Sequence, residues 1–541
     1  MSLLGERLNQ YIEESGYTVY RLSQLSGVNR TTIVRMINGN RIPDRKNMEK
    51  LVPWLKLTPS QRKALWEAYE LMTSGEELFL QRNNFMKMLL DMYNPINQEK
   101  VFQFDRPESG VLLNMDLCKS TQILRGTFQI IHILTGLILS RKIDEVCVFA
   151  PFTNEFISDF FGRTIFTELS RIRVKHIMYF VKSSQNCHYI TYNLSTLSHM
   201  LSLAFTAGVD YRAYYVYVKQ IISDDTFVPY PYYIIMGDAV IHLSSNFDKA
   251  VVTVEKAVVE DYKHIFERIL SDSEKLFHAQ NDIGYALDDI EPVVAVLDSV
   301  FGISPYPQLL IISDRKNALK MIKKKGKEVE RYYRVFNEHA HKAGSMKKRA
   351  YYFPEAGLRY FVMTGRTPEL PAKYAESLSV EERIGVLEKL KTEILRDSVH
   401  IRILDTVHFP VRRPVAIQMT ADKRVFFYCL DKENRFFRYV MIRESSLTWA
   451  ISEFVEYLSK DPVLYSDYFY SKEKTLECID YYLGMLERGE ISGESEEDRE
   501  SGRSQLHVLD SSEAVWAEGL ESSKLLEYIR HDRVKKREMG G

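Results

Sequence analysis

The sequence predicts a multidomain protein: an all-α N-terminal domain of helix-turn-helix plan, then a large α/β body with two related α/β halves. Three observations carry this. The chain has 541 residues, roughly three to four usual domain lengths. Its first fifty residues place apolar side chains at helical spacing between capping residues and glycines. Beyond Pro95 the pattern changes to alternating apolar strands and amphipathic helices.

Composition narrows the classes. Apolar residues make up 45%, enough for ordinary cores and against wholesale disorder. With 72 basic and 73 acidic residues the net charge is -1, which excludes a generally basic nucleic-acid coat or a polybasic membrane binder. The five cysteines (Cys118, Cys147, Cys187, Cys429, Cys478) contain no C-x-x-C pair, so neither a disulfide framework nor a cysteine zinc site is expected. The N-terminus carries acids where a signal peptide needs an apolar core, and the longest apolar run, 128–139, is too short to span a bilayer. A cytoplasmic protein without membrane contact is expected.

The balanced total hides a local asymmetry. Residues 1–50 hold six Arg and two Lys against four Glu and one Asp, an excess of three positive charges. Leu4, Leu8 and Ile12 line a first helix that should end near Gly16. Thr18 is placed to cap a second helix carrying Leu22 and Leu25 inward, and Gly27 suits the turn after it. Asn29 can cap a third helix, 30–38, with Ile33, Met36 and Ile37 inward. Gly39 ends it and Pro43 prevents quick resumption.

Helix, glycine turn, helix, with a basic third element, is the plan of a DNA reader. The stretch TVYRLSQLSGVNRTTIVRMINGNRIP resembles the Cro/phage-repressor (XRE) family of helix-turn-helix domains, over about a tenth of the chain. The Leu-Ser pair, Gly-Val, the Thr-Thr-Ile core and the Asn-Gly-x-Arg-x-Pro ending all fall in register. The resemblance implies that 30–38 is the recognition helix, with Arg30, Thr31 and Arg35 toward base edges. Thr18, Asn38, Asn40 and Arg41 are placed for phosphates, and Asn29 stands at the same helix start. The bland alternative is that Thr18 and Asn29 are only caps and the arginines only solvated.

Thr58-Pro59-Ser60-Gln61 is a capping box with proline at the first helical position, opening a helix with Leu65, Trp66 and Tyr69. The next helix starts near Ser74. Its stripe of Leu78, Phe85, Leu89 and Met92 suits ordinary core, with a dimer contact as the alternative. In the body, strands are expected at 143–149, 174–182, 209–218, 250–254, 307–313, 400–404, 415–419, 425–430 and 436–442. Gly237-Asp238 should join YYIIM to AVIHLS as a hairpin. Helices are expected at 154–173, 194–206, 259–277, 381–396 and 446–458. Strand starts at 209 and 399, 232 and 415, 250 and 436 are offset by 190, 183 and 186 residues, a repeat of element order. The expected domains are 1–56 (helix-turn-helix), 57–95 (helical connector), 96–290 and 291–487 (the two halves), and 488–541 (acidic linker and disordered tail).

The element order of the body weakly resembles phospholipase-D-like sensor domains of some transcription regulators. That family's enzymes use H-x-K-x-x-x-x-D, and none of the thirteen histidines here is followed two residues later by lysine. The nearest imitation is His400-Ile401-Arg402, with Asp405 at the wrong distance. Phosphate-loop, dinucleotide and H-E-x-x-H motifs are missing too, and Gly302-Ile303-Ser304-Pro305-Tyr306 lacks the second glycine of a nucleophile elbow. No catalytic residue, metal site or cofactor is therefore expected, and no enzyme.

Two body features suggest binding. Residues 315–349 hold thirteen Lys or Arg against three acids, either a solvated helix face or a second DNA or effector contact. Tyrosines cluster at 211, 214, 215 and 217, either as sheet packing or as a pocket. The expected function is a sequence-specific transcription regulator. Its partners would be double-stranded DNA, a second copy of the chain as a homodimer, and a small-molecule or protein effector. The alternatives are a DNA-targeted nuclease-like enzyme or a protein-interaction scaffold.

Overall fold

A computed structural model of the chain describes residues 2–39, 42–93, 121–140, 143–151, 172–182, 187–204, 210–219, 228–276, 299–309, 349–366, 376–411, 415–430 and 437–490. Its N-terminal part is helical: α1 (Leu3–Ser15), α2 (Val19–Ser26), α3 (Arg30–Ile37), α4 (Arg45–Leu51), a short 3-10 turn (Val52–Leu55), α5 (Pro59–Ser74) and α6 (Glu76–Tyr93). The sequence signals act here one by one. Gly16 and Gly27 close α1 and α2 in the left-handed region, at φ 74° and 68°, where a side chain would be strained. Thr58 and Gln61 form the reciprocal capping box of α5.

The first core gathers Leu4, Leu8 and Ile12 of α1 with Leu22, Ile33, Met36, Met48 and Leu51. Leu65 and Trp66 of α5 complete it, so α5 packs with the first four helices. Leu25 is only half-buried. The next helix behaves differently. Phe85, Met86, Leu89 and Met92 of α6 are buried among body residues, each such side chain contributing about 1.5–3 kcal/mol. The stripe considered for dimerisation is thus core within one chain, and Leu78 is half-buried.

The body holds two mixed sheets. The first contains β1 (Gln122–Arg125), β2 (Glu145–Phe149), β3 (Arg173–Val181), β4 (Asp210–Val218), β5 (Tyr232–Met236), β6 (Ala239–Leu243), β7 (Lys249–Thr253) and β8 (Glu274–Lys275). Its helices are α7 (Thr127–Ser140), α8 (Cys187–Ala204) and α9 (Lys256–Ser271). The second contains β9 (Ser299–Ile303), β10 (Arg349–Pro354), β11 (Val399–Leu404), β12 (Val415–Thr420), β13 (Val425–Leu430) and β14 (Phe437–Ile442). Around it lie α10 (Glu355–Thr364), α11 (Val380–Leu395), α12 (Ser445–Leu458) and α13 (Lys472–Glu487).

The two sheets share one strand order. The first runs β1-β7-β6-β5-β2-β3-β4-β8 and the second β11-β10-β9-β12-β13-β14. In each, three parallel strands adjoin a three-stranded antiparallel meander: β4-β3-β2 then β5-β6-β7, and β11-β10-β9 then β12-β13-β14. A helix follows each meander, α9 or α12. The repeat legible as element order is therefore a repeat of topology. Val146 and Val148 of the first sheet and Phe301 and Ile303 of the second belong to one continuous core with α6, α8 and α12.

Three sequence expectations are corrected. No strand occupies Pro307–Leu309; the strand of that region is β9, and 310–313 lies outside the described residues. The helix expected to 277 stops at Ser271, because Glu274–Lys275 pairs with β4 instead. Strands β1 and β10 and helices α7, α10 and α13 went unread. The helix expected at 154–173 lies almost wholly outside the described residues, while Arg173 itself opens β3. The tail from 491 also lies outside them, as do 315–348 of the basic segment.

Candidate nucleic-acid interface

Helix α3 has two unlike faces. Ile33, Met36 and Ile37 are buried, while Arg30, Thr31, Val34, Arg35 and Asn38 are exposed. The exposed positions recur at helical spacing and form one stripe along the helix. No acidic residue lies in its first turn. Val34, 39% exposed, sits among the polar residues of the stripe and offers methyl groups there.

Asn29 Oδ1 accepts the Thr31 backbone N–H at 2.9 Å and the Thr31 hydroxyl at 2.7 Å. The cap is real, and it leaves the Asn29 amide nitrogen able to donate elsewhere. Thr18 caps α2 by accepting the Arg21 N–H at 3.2 Å, which leaves its own O–H able to donate. Asn38 ends α3 in helical conformation, donating its backbone N–H to Val34 at 3.0 Å. Asn40 and Arg41 lie outside the described residues.

The turn is held tightly. Ser23 donates to the Val28 carbonyl at 2.6 Å, and Ser26 accepts the Val28 N–H at 3.2 Å. These bonds set the angle between α2 and α3. Tyr20, 60% exposed, and Gln24 bond at 3.0 Å on the exposed side of α2, next to Arg21. Sequence reading passed over Tyr20, Arg21, Gln24 and Val34; their spacing opposite Leu22 and Ile33 was the available signal.

The N-terminal helices are tied to the body through Arg45 and Arg82. Arg45 of α4 donates to the carbonyls of Lys460 and Asp461, at 3.0 and 2.7 Å. Arg82 of α6 lies over the Tyr457 ring at 3.8 Å and forks onto Glu453, with both Nε contacts at 3.2 Å. Ser74, at the end of α5, accepts another Arg82 N–H at 2.7 Å.

The body's candidate chemistry is taken up internally. His400 Nε2 lies 3.2 Å from Asp461, and Arg402 reaches the same carboxylate at 2.7 Å. Asp405 instead accepts the Val407 N–H at 3.0 Å in a turn. Among the tyrosines, Tyr211 bonds His176 at 2.9 Å, Tyr215 bonds Glu274 at 2.5 Å and Tyr217 bonds Glu444 at 2.6 Å. Burial pushes the Tyr217 hydroxyl up to about 12. Their hydroxyls thus hold strands and helices together. Burial also pushes the thiols of Cys147 and Cys478 up to about 12, so both unpaired cysteines are poor nucleophiles. Among the described residues no cluster of three His, Cys, Asp or Glu could hold a metal, and no helix is long and apolar enough to cross a membrane.

No protein-family model and no curated protein matches the chain. One solved structure that it resembles is TrmBL2, described as an archaeal chromatin protein with a novel mode of DNA binding. The identity is 13% and the TM-score 0.18, over 36% of this chain and 66% of that one. A likeness that slight defines neither the fold nor the activity here.

Proposed function

We propose that the chain is a sequence-specific DNA-binding transcription regulator, not an enzyme, whose helix-turn-helix is of the Cro/phage-repressor kind. The exposed stripe Arg30–Thr31–Val34–Arg35–Asn38 carries this reading, because it combines donors, methyl groups and positive charge on one helix face. Arginine can fork onto guanine and threonine or valine methyls can meet thymine. Thr18, Asn29, Asn38, Asn40 and Arg41 supply phosphate contacts that set register. The protein acts in the cytoplasm as a homodimer on two half-sites, and the body shifts their spacing when an effector binds. Its phospholipase-D-like element order serves sensing rather than hydrolysis, since Asp461 occupies His400 and Arg402.

The test is enrichment of random duplex DNA on the purified full chain, followed by sequencing. A recurring motif with two-fold symmetry supports the reading. Uniform recovery of all sequences contradicts it.

A further inference from the structure

On the face of the second sheet that packs against α10, α11 and α13, a group of buried polar atoms has no partner among the described residues. Tyr351 of β10 stands beside Gly302 of β9, which stands beside Gln418 of β12. Register neighbours share a sheet face, and Arg349, two residues before Tyr351, shares it too. Arg349, Gln308 and Gln418 are 4%, 4% and 0% exposed. Arg349 Nε and Nη2, both ends of the Gln308 amide and Gln418 Oε1 have no hydrogen-bond partner among the described residues.

Gly302 makes room for this arrangement. A Cβ there would lie 2.9 Å from Gln308 Nε2, 3.1 Å from Gln308 Oε1 and 3.1 Å from the Tyr351 ring. The missing side chain lets Gln308 lie down on the sheet. The neighbours are already committed: Tyr351 donates to the Ser299 carbonyl at 2.7 Å with its oxygen beside the Arg349 guanidinium, and Gln418 Nε2 donates to Tyr428 at 2.8 Å. What remains is a guanidinium edge and an amide N–H as donors, and two amide oxygens as acceptors. A buried guanidinium with two idle nitrogens is costly unless something pairs with it.

We propose that this cluster binds a small oxyanion that carries its own O–H, inorganic phosphate or a hydroxycarboxylate. The Arg349 fork takes two anionic oxygens, as guanidinium does with carboxylate and phosphate. Gln308 Nε2 adds a third donor, and the O–H donates to Gln308 or Gln418. Nothing in this site depends on DNA reading by α3, so each can fail alone.

Thermal unfolding of the full chain, titrated at constant ionic strength, tests the site. The probes are inorganic phosphate, lactate and sulfate, against chloride. The expected result is a saturable rise in Tm with phosphate or lactate, the responding probe identifying the source. Arg349→Met should abolish it, and Gln308→Leu should demand at least about tenfold more anion. Equal saturable stabilisation by sulfate, which has no O–H at neutral pH, would overturn the hydroxyl-bearing class. No saturable response, or one that persists in Arg349→Met, would overturn the site. Should Arg349→Met not fold, an unchanged response in Gln308→Leu would do the same.

Discussion

Arg45, on the fourth helix of the N-terminal domain, holds the backbone carbonyl of Asp461 in the body at 2.7 Å. Asp461 has a left-handed backbone, at φ 48°, and its carboxylate bonds Arg402 of β11 at 2.7 Å. Burial is the largest single influence on that carboxylate and pushes it up, but His400 and Arg402 together outweigh it and hold it below the usual range. One short turn therefore joins the N-terminal helices to an edge strand of the second sheet.

Arg45→Ala should loosen that joint without unfolding the chain. The side chain is 39% exposed, so the loss of stability should be under about 1 kcal/mol. Hydrogen exchange at 459–461 should nonetheless speed up while exchange in the β9–β12 core stays unchanged. Unaltered exchange in the turn would show that Arg45 does not hold it.

His176 makes stability depend on pH. Its ring is fully buried between the Ala150 carbonyl at 2.8 Å and the Tyr211 hydroxyl at 2.9 Å, and burial lowers its pKa from 6.5 to about 4. A folded pKa below the unfolded one means that the stabilisation is complete above pH 6.5 and drains as pH falls toward 4. The loss should approach about 3 kcal/mol. His176→Gln should flatten this part of the stability–pH curve, measured by denaturant titration. An equally steep curve in the variant would assign the loss to other groups.

Arg82→Met should be among the more damaging changes away from the apolar cores. It leaves Glu453 and Glu70 without their shared cation, and burial already holds the Glu70 pKa up. The expected cost is roughly 2–4 kcal/mol. A double-mutant cycle with Glu453→Gln should return a coupling of at least about 1 kcal/mol. Additive losses would mean that the ion pair contributes nothing of its own.

Local physics made the N-terminal helices legible. Thr18, Gly27, Asn29 and Gly39 each act on backbone within a few residues, so their order alone predicted α2, the turn and α3. The meanders were legible for the same reason, with Gly237 turning the chain between β5 and β6. Strand β9 was not, because Gly302 weakens its pattern while the apolar run starting at Pro307 looked stronger. Tertiary pairing decided that contest. The Asp461 partner of His400 is 61 residues away in sequence, and Arg349 and Gln418 come to one sheet face only through strand register. Nor could the stripe on α6 announce its own cover: an apolar helix face looks alike whether a partner chain or its own body buries it.

The most direct test of DNA reading by α3 compares Arg30→Ala with Arg41→Ala on a selected site and on a scrambled site at two salt concentrations. Arg30→Ala should cost about 1–3 kcal/mol on the selected site and little on the scrambled one. Arg41→Ala should weaken both alike and reduce the salt slope by about one. Equal losses on both DNAs for Arg30→Ala would contradict the assignment of α3 as the helix that reads sequence.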